Sequence, residues 1–499
     1  MARLTDWLEA TAARLPQKTA FLDGKRSITY VALREEARRM AAGLIAHGVA
    51  GKPVCIFLPK SVDAVVSILA LTYIGSACVP LDVQTPSPRL AKIRHDICPA
   101  AVITHKAPGA WAEGLPLLEV SELAAFPSRE GQVDAATAGV GADSVWGVLY
   151  TSGSTGTPKG VIISHRQVLD NRWFCDCGAC LESSIMGNAA PLHFALSTVE
   201  LFAVIHAGAS MHLLPKQLFG FPARLLQELA ERRINTILWA PALLSLVAGS
   251  GILAEDAASH TLPPLQQICS CGGPLPLQTF ADWRRAFPQA AILNVYGMTE
   301  TASFHLHHFA VPGRHYTAPL PLGSPCAGKR VIVRADGRPA TAGEEGELYL
   351  SIPGSTYGYQ GDAAQTAERF VRDETGSVWL RTGDIVRQNA RGEYLYVSRR
   401  DFLVKHMGQR VELGEVESVA RCFVGVRDAC CLYDAQKDQL LLVYAGDAGT
   451  SAVRRWLQAE LPRYMQPRRF YQSAELPLNA HGKIDRPYLL AKYVEQRQE

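Results

Sequence analysis

The chain has 499 residues, of which 48% are hydrophobic and 19% are charged. This length exceeds what one hydrophobic core supports, so we expect two or more domains of ordinary globular composition. The formal net charge of +3 is small for such a chain and predicts neither a nucleic-acid nor a membrane partner.

The 12 cysteines do not predict a disulfide framework, because such frameworks are typical of short secreted chains. Cys175, Cys177 and Cys180 form one tight group and Cys269 and Cys271 another, but neither has the paired spacing of a zinc site. We interpret them as reduced, partly buried thiols. The amphipathic N-terminal segment lacks the apolar core of a signal peptide, so we expect a cytoplasmic protein.

The first 145 residues alternate between patterns typical of helices and of strands. Helices are predicted at residues 4–15, 32–47, 62–73 and 86–96, and strands at residues 27–30, 54–58, 77–81 and 100–104. Such alternation is typical of doubly wound α/β sheets. One uncharged run, residues 65–81, is short and interrupted by Gly75 and Pro80, which favours a buried helix and strand over a membrane span.

A loop rich in small residues, LYTSGSTGTPKGV, occupies residues 149–161 after an apolar strand pattern. Small residues let backbone N–H groups and hydroxyls surround phosphate oxygens, and Lys159 adds a positive charge. Pro158 before the lysine and Gly160 after it exclude a Walker-type loop, and residues 153–156 are one residue short of a nucleophile elbow. We predict a loop that binds nucleotide phosphates; the alternative is a flexible surface loop.

Strand–helix units continue beyond this loop. Ser164 is predicted to cap a helix over residues 165–171. The later strands are predicted at residues 210–214, 236–240, 266–271 and 291–295, and the helices at 222–232, 241–248 and 277–287.

The last of these strands leads into NVYGMTE, residues 294–300. Ligands of open α/β sheets bind beyond the carboxyl ends of the strands, so we expect this turn to face the phosphate loop across a crevice. Tyr296 is suited to stacking on a base, Thr299 to bonding a phosphate and Glu300 to holding Mg²⁺. The alternative interpretation is a capped turn.

Short strands and many turns characterise residues 320–400, including a hairpin turn at Asp336 and Gly337. Asp384, just past a predicted strand, is suited to accepting hydrogen bonds from both hydroxyls of a ribose, although Thr-Gly-Asp also fits a simple turn. The charged stretch 398–417 marks a domain boundary, followed by a small α+β domain of about a hundred residues.

Taken in order, these motifs resemble those of the adenylate-forming enzymes, which include acyl-CoA synthetases, luciferases and adenylation domains of nonribosomal peptide synthesis. The strings that carry the resemblance are ITYVAL, LTYIGSACVPLD, LYTSGSTGTPKGV, NVYGMTE, GELYLSIPGSTYGYQG, LRTGDIV, SRRDFLVKHMGQRVELGEVE, LPRYMQP and HGKIDR. The format most resembles D-alanine–carrier-protein ligases and single-domain amino-acid adenylation enzymes. The implied architecture is an α/β core of doubly wound sheets with a β-rich subdomain, residues 1–398, and a small mobile α+β lid, residues 399–499.

The resemblance also implies roles for individual residues. Lys483, Glu300 and Thr155 are the implied catalytic residues, with Glu300 also holding Mg²⁺. Asp401 occupies the hinge position, and Gly408 the turn expected to line a tunnel for an incoming thiol. The residues implied to bind ATP or AMP are Thr151, Ser152, Gly153, Ser154, Gly156, Lys159, Gly272, Asn294, Tyr296, Gly297, Met298, Thr299, Asp384 and Arg399. The chain departs from the family pattern at Met298, Ser398 and His481, which replace Pro, Gly and Asn.

The reaction implied by the resemblance has two steps and uses ATP and Mg²⁺. A carboxylate attacks the α-phosphate to give an acyl adenylate and pyrophosphate, and a thiol then takes the acyl group. We expect the thiol to be the phosphopantetheine of a separate carrier protein, since no Gly-Gly-x-Ser motif in helical surroundings is found at either end. The alternatives are an acyl- or aryl-CoA ligase and a non-catalytic nucleotide-binding homologue.

The substrate is where the family pattern breaks. Amino-acid-activating members carry an Asp that pairs with the α-ammonium, and this chain has Ala195 there. A buried ammonium without a counter-ion costs several kcal/mol. We therefore expect a β-amino, aryl or short acyl acid, or else a relocated amine partner such as Glu200 or His193. The predicted pocket residues are His193, Phe194, Ala195, Leu196, Val199, Trp239, Cys271, Gly273, Ser303 and Phe304.

Overall fold

The fold was analysed in a computed structural model that describes residues 3–151, 158–253, 262–399, 403–478 and 484–495. In its first part, helices and strands alternate as the sequence predicts. The strands are β1 Thr19–Leu22, β2 Ser27–Thr29, β3 Val54–Phe57, β4 Cys78–Pro80, β5 Ala101–Thr104, β6 Leu117–Glu119 and β7 Val145–Thr151. The helices are α1 Leu4–Arg14, α2 Tyr30–Ala46, α3 Val62–Tyr73, α4 Ser87–Ile97, α5 Val120–Ala124 and α6 Glu130–Ala138.

The central part continues the alternation and ends in two antiparallel strands. Its strands are β8 Lys159–Ser164, β9 Ile185–Asn188, β10 Ser210–Leu213, β11 Thr236–Trp239, β12 Gln267–Cys271, β13 Ala291–Met298 and β14 Ser303–Phe309. Its helices are α7 His165–Leu169, α8 Trp173–Asp176, α9 Ala195–Ala207, α10 Pro222–Glu231, α11 Pro241–Gly249 and α12 Leu277–Ala286. Ser164 caps α7 by accepting a hydrogen bond from the Gln167 amide.

The last part is rich in strands. They are β15 Ser324–Pro325, β16 Val331–Ala335, β17 Arg338–Pro339, β18 Glu345–Ile352, β19 Phe370–Arg372, β20 Val378–Gln388, β21 Tyr394–Arg399, β22 Leu403–His406, β23 Gln409–Glu412, β24 Val426–Asp434, β25 Gln439–Gly446 and β26 Arg469–Ser473. The helices are α13 Ala363–Arg369, α14 Leu413–Arg421, α15 Thr450–Glu460 and α16 Arg486–Leu490.

The strands form five sheets. The two larger α/β sheets have the orders β6-β5-β3-β4-β7-β8 and β15-β14-β13-β12-β11-β9-β10-β1-β2. Their central pairs are parallel. The antiparallel pairs are β7 with β8 in the first sheet, and β13 with β14, β14 with β15 and β1 with β2 in the second. A third sheet, β17-β16-β18-β20-β19 with β21 beside β20, is antiparallel. The hairpin β22–β23 and the sheet β24-β25-β26 follow.

Buried apolar side chains organise these sheets into cores. One large cluster joins α2, α3 and α9 to both α/β sheets, and residues 403–495 have apolar clusters of their own around β24 and β25. Among the described residues, no helix combines the length and the hydropathy that a membrane span requires.

Some predicted boundaries were wrong in ways that matter for the site. We predicted that the strand before NVYGMTE ends at residue 295, but β13 continues to Met298 because β14 pairs with it. Asp384 does not follow a strand: it lies inside β20, which pairs with β18 on one side and β21 on the other. Tyr30 starts α2 rather than ending a strand, since Thr29 caps that helix.

Gly323 lies where the nine-stranded sheet meets β21. Its amide donates to the Tyr394 carbonyl at 3.2 Å and its carbonyl accepts from the Tyr394 amide at 2.8 Å. Its φ is +89°, and a Cβ there would lie 1.8 Å from the His307 carbonyl oxygen. This backbone approach leaves no room for a side chain.

We therefore expect Gly323→Ala to lower the apparent thermal midpoint by about 2–6 °C, since it adds a backbone clash to the strain of a positive φ. Gly313→Ala is the matched control, because Gly313 has a φ of +75° but nothing within 4 Å of the added Cβ. Differential scanning fluorimetry measures both. Equal shifts would show that the clash at Gly323 relaxes without cost.

Candidate active site

A cavity of about 150 Å³ lies at the carboxyl ends of β7, β12 and β13, beside the first turns of α9. The N-terminal end of a helix and the ends of parallel strands meet there, the usual ligand position in open α/β sheets. The predicted residues that line it are Thr151, His193, Phe194, Ala195, Leu196, Val199, Cys271, Gly272, Tyr296, Gly297, Met298, Thr299, Ser303, Phe304, Asp384 and Arg399.

Several predicted residues lie elsewhere. Trp239 is fully buried in the core, where its indole donates to the Gly187 carbonyl at 2.9 Å and packs edge-on against Trp283. Asn294 is also buried and donates to the Pro321 carbonyl at 2.8 Å. Neither residue lines the cavity, so Trp239 does not contact the substrate pocket that it was predicted to line. The predicted residues Ser152, Gly153, Ser154, Thr155, Gly156, Asp401 and Lys483 lie outside the described residues.

Asp384 is held by two protein groups. The Tyr296 hydroxyl donates to its Oδ2 at 2.5 Å, and an Arg399 N–H donates to its Oδ1 at 2.6 Å. We predicted that Tyr296 stacks on a base; in this arrangement its hydroxyl is engaged with the predicted ribose acceptor. The Asp384 amide donates to the Thr382 hydroxyl, which fixes the chain inside β20.

Glu300 is completely buried at the bend between β13 and β14. One Arg410 nitrogen lies 2.8 and 2.9 Å from its two carboxylate oxygens, and the Tyr359 hydroxyl donates to Oε1 at 2.9 Å. Burial by itself raises the pKa of Glu300, but the charges of Arg410, Arg369 and Lys159 outweigh it and hold the pKa at about 2. Neither Arg410 nor Tyr359 was predicted as a site residue, although both lie within the sequence motifs.

Lys159 lies at the start of β8 and not within a free loop. Its ammonium is 3.6 Å from Glu412 Oε1 and 4.5 Å from the centre of the Tyr359 ring. Burial lowers the pKa of Lys159. Lys159, Glu300 and Arg410 thus form one buried, charged group around Tyr359.

The hairpin β22–β23 covers the cavity from the side of the C-terminal segment. Lys405, Gly408, Gln409 and Arg410 line it. Gly408 has a φ of +74°, and a Cβ there would lie 2.9 Å from the Ala240 Cβ. A larger cleft of about 1420 Å³ opens beside this turn and is lined by Gly272, Gly273 and Gly408. The turn predicted to line a thiol tunnel therefore lies between the cavity and an open cleft.

Buried contacts join the C-terminal segment to the rest of the chain. Arg89 of α4 pairs with Glu415 of α14, and both side chains are almost fully buried. Together with the Glu300–Arg410 and Lys159–Glu412 pairs, this contact holds the hairpin against the crevice. Removing one partner of such a buried pair costs about 3–5 kcal/mol, so these pairs favour the described position of the hairpin.

Comparison with known proteins agrees with this geometry. A family model described as "AMP-binding enzyme" matches residues 8–360. An L-proline–[L-prolyl-carrier protein] ligase from Pseudomonas fluorescens is 31% identical over 99% of this chain and 100% of that protein. Syringomycin synthase SyrB1 from Pseudomonas syringae pv. syringae is 31% identical over 96% of this chain and 80% of that protein.

A solved structure shares the fold. The Vibrio cholerae adenylation domain AlmE, in complex with glycyl-adenosine-5'-phosphate, superposes with a TM-score of 0.85 at 20% identity, covering 98% of this chain and 97% of that one. The predicted α/β fold class is confirmed by this likeness.

Arg410→Met should test the charge balance at Glu300, because it keeps a side chain of similar length and removes the cation. The pKa of Glu300 then rises from about 2 towards or above its ordinary value of 4.5. A carboxyl whose pKa is lower in the folded than in the unfolded state stabilises the fold at pH values above its unfolded pKa. This stability is lost as the pH falls towards the folded pKa. At pH 7 we expect the variant to be less stable by about 3 kcal/mol and to have a lower thermal midpoint. On acidification from pH 5 to pH 3, its further loss of stability should be smaller than that of the wild type.

Arg391→Met, on an exposed turn, is the control and should leave the pH profile unchanged. Parallel profiles for the wild type and Arg410→Met would contradict the assigned ion pair.

Proposed function

The chain belongs to the AMP-binding enzyme family and is an adenylate-forming ligase; from this premise we propose that it activates a small carboxylic acid with ATP and passes the acyl group to the phosphopantetheine thiol of a separate carrier protein. A carboxylate oxygen bonds to the α-phosphorus, and pyrophosphate leaves. The thiol sulfur then bonds to the acyl carbon, its proton is lost, and AMP leaves. A cytoplasmic location fits the free cysteines, which persist in a reducing compartment.

One observation carries this proposal: a carboxylate suited to bind ribose hydroxyls and cations suited to bind phosphates lie close together at the cavity. Asp384 and Tyr296 line the cavity, and so does Arg410, which pairs with the buried Glu300 beside Lys159. Positioned Lys and Arg cations, and a metal ion held by a carboxylate, are the groups that stabilise a transferring phosphoryl group. The relative from Pseudomonas fluorescens is a carrier-protein ligase, which supports the choice of acceptor.

Mg²⁺ fits Glu300 only in a second arrangement of the hairpin. This metal is usually held by one or two carboxylates together with substrate phosphates, and Glu300 is a suitable single donor. Both of its oxygens are bonded to Arg410 here, so Arg410 and the metal exclude each other. When bound, Mg²⁺ would neutralise phosphate charge.

We propose that the described arrangement serves thiol transfer and that adenylation uses another. Residues 399–499 would move as a lid relative to the core of residues 1–398, with Asp401 as the hinge. Gly408 beside the open cleft gives the thiol its approach. Lys483 would replace the hairpin over the α-phosphate during adenylation and neutralise charge developing there.

For the substrate, we propose a compact acid without an ordinary α-amino group. Ala195 provides no counter-ion, and among the described residues lining the cavity the one carboxylate is Asp384, which already accepts from Tyr296 and Arg399. Phe194, Leu196, Val199 and Phe304 give the cavity an apolar wall. A β- or otherwise displaced amino acid, an aryl acid or a short acyl acid meets these conditions.

An ATP–pyrophosphate exchange panel of α-amino, β-amino, ω-amino, aryl and short fatty acids tests this proposal. We expect an acid without an α-amine to exchange at least about tenfold faster than every α-amino acid, because an unpaired buried ammonium costs several kcal/mol. Ala195→Asp should raise exchange with α-amino acids, and Ala207→Asp, at the far end of α9, should not.

L-Proline or another α-amino acid as the best substrate would overturn the proposed substrate class and leave the ligase activity intact. No exchange with any acid would overturn the ligase proposal itself. Faster transfer of the adenylate to free CoA than to a holo-carrier protein would favour a CoA ligase.

Lys483→Ala should separate the two half-reactions. We expect adenylate formation to fall by a factor of at least about 100, because removing one positioned charge at a transition state costs about 3–4 kcal/mol. Transfer from preformed adenylate should change little. Rapid-quench assays of each step measure the two rates, with Lys492→Ala as a control from the same segment. Equal losses in both steps would contradict the role.

A further inference from the structure

A buried polar network lies behind the cavity and takes no part in the proposed chemistry. The Lys60 ammonium donates to the Asn188 side-chain oxygen at 3.2 Å, and to the Asn188 and Ala189 carbonyls at 3.1 and 3.2 Å. The Asn188 amide in turn donates to Glu200 Oε2 at 2.6 Å. Asn188 therefore connects a cation and a carboxylate that do not touch each other directly.

Glu200 lies deeper than the cavity floor. It follows Leu196 by four residues on α9 and so lies on the same face of that helix, one turn further from the crevice. Leu196, Val199 and Cys271 line the cavity. The Glu200 charge contributes to the raised pKa of both Cys271 and Cys269, on the sheet face against which α9 packs. The carboxyl group is therefore near the buried thiols of β12, behind the part of α9 that lines the cavity.

One oxygen of this carboxylate has no partner. Glu200 is completely buried, and among the described residues Oε1 accepts no hydrogen bond. Burial raises the pKa of Glu200 to about 8 in spite of the Asn188 bond and the Lys60 charge. A buried polar atom left unpaired is unfavourable, and a ligand donor can recover that loss.

We propose that Glu200 is the specificity residue of the substrate pocket and accepts the terminal ammonium of an acid whose amine lies several carbons from the reacting carboxylate. This inference rests on the proposed function and selects one of its substrate classes. It also explains how the chain dispenses with an acidic residue at Ala195: the counter-charge lies deeper on the same helix.

The intervening wall suits a chain of methylene groups. Leu196 and Val199 are apolar, and a buried Cys271 thiol behaves as a small apolar group. Lys60 fixes the orientation of Asn188, which leaves the second oxygen of Glu200 to a ligand. Because the pKa of Glu200 is about 8 without a ligand, this oxygen accepts from an ammonium once the carboxyl has lost its proton. Glu200 itself lies behind this wall, so an amine reaches it only by passing between Leu196, Val199 and Cys271. Lys60 and Asn188 are positioning residues, since they act through Glu200.

Matched acid pairs test the inference in the wild-type protein. 4-Aminobutanoic acid is compared with pentanoic acid, and 5-aminopentanoic acid with hexanoic acid, because each pair differs mainly by a methyl group in place of the ammonium. The measured quantity is kcat/KM in ATP–pyrophosphate exchange. We expect the amino member of at least one pair to be preferred by a factor of at least about 30, as one charge-assisted hydrogen bond is worth about 2 kcal/mol.

Glu200→Gln keeps the oxygen that accepts from Asn188 and removes the charge. We expect it to lower kcat/KM for the amino acid by at least about 100-fold and to change the neutral partner by less than about threefold. Glu228→Gln on α10, where the wild-type carboxylate pairs with Arg232, is the matched control and should change neither. A purely structural role for Glu200 would lower both members of the pair equally.

Several results would overturn the inference, and they are distinguishable. Preference for the neutral member or for an aryl acid in the wild type, or an equal effect of Glu200→Gln on both members, overturns the inference alone. A best substrate with an α-amine overturns it together with the proposed substrate class. Absence of exchange with every acid overturns it together with the ligase function. The wild-type comparison decides the matter even if the variant does not fold.

Discussion

The active site depends on the need to keep the buried Glu300 carboxylate accompanied by positive charge. Its pKa of about 2 means that it is ionised under all ordinary conditions, and an uncompensated buried charge costs several kcal/mol. Arg410, brought in by the hairpin β22–β23, supplies the closest compensation. Any arrangement that withdraws the hairpin must provide another cation in its place. The position of the C-terminal segment therefore depends on which cations lie beside Glu300.

Asp384, on the ribose side of the cavity, is likewise paired before any ligand binds. Asp384 already accepts hydrogen bonds from Tyr296 and Arg399, so ribose hydroxyls would replace existing bonds at this carboxylate. Exchanging one hydrogen bond for another contributes about 1 kcal/mol or less to binding. Affinity for a nucleotide must then come chiefly from the phosphate side, where Lys159 is buried and charged groups are dense. The ribose side of the site is thus ordered before a ligand arrives, whereas the phosphate side must rearrange when the hairpin is withdrawn.

The sequence was sufficient for the fold class, which follows from local patterns, whereas the predicted cavity residues came from the family resemblance. Alternating helix and strand periods predict a doubly wound sheet, and motifs at strand ends necessarily meet at one edge of it. The errors concern contacts between distant segments. Trp239 follows the pocket spacing, but the side-chain alternation of β11 directs it into the core. Arg410 lies 110 residues from Glu300, and only the docking of the hairpin brings the two together.

The placement of Glu200 shows how a substrate pocket can change its chemistry without changing its backbone. Helix α9 starts at the cavity and runs away from the crevice, as helices of doubly wound sheets do. Five residues separate Ala195 from Glu200, which corresponds to about 7.5 Å along the helix axis. If the reacting carboxylate keeps its place near the nucleotide, moving the counter-charge by this distance moves the preferred amine by several carbon–carbon bonds. The burial that makes the carboxylate costly without a ligand also excludes the water that would weaken its interaction with an ammonium. The distance between charges, rather than the volume of the cavity alone, then sets which acids are activated.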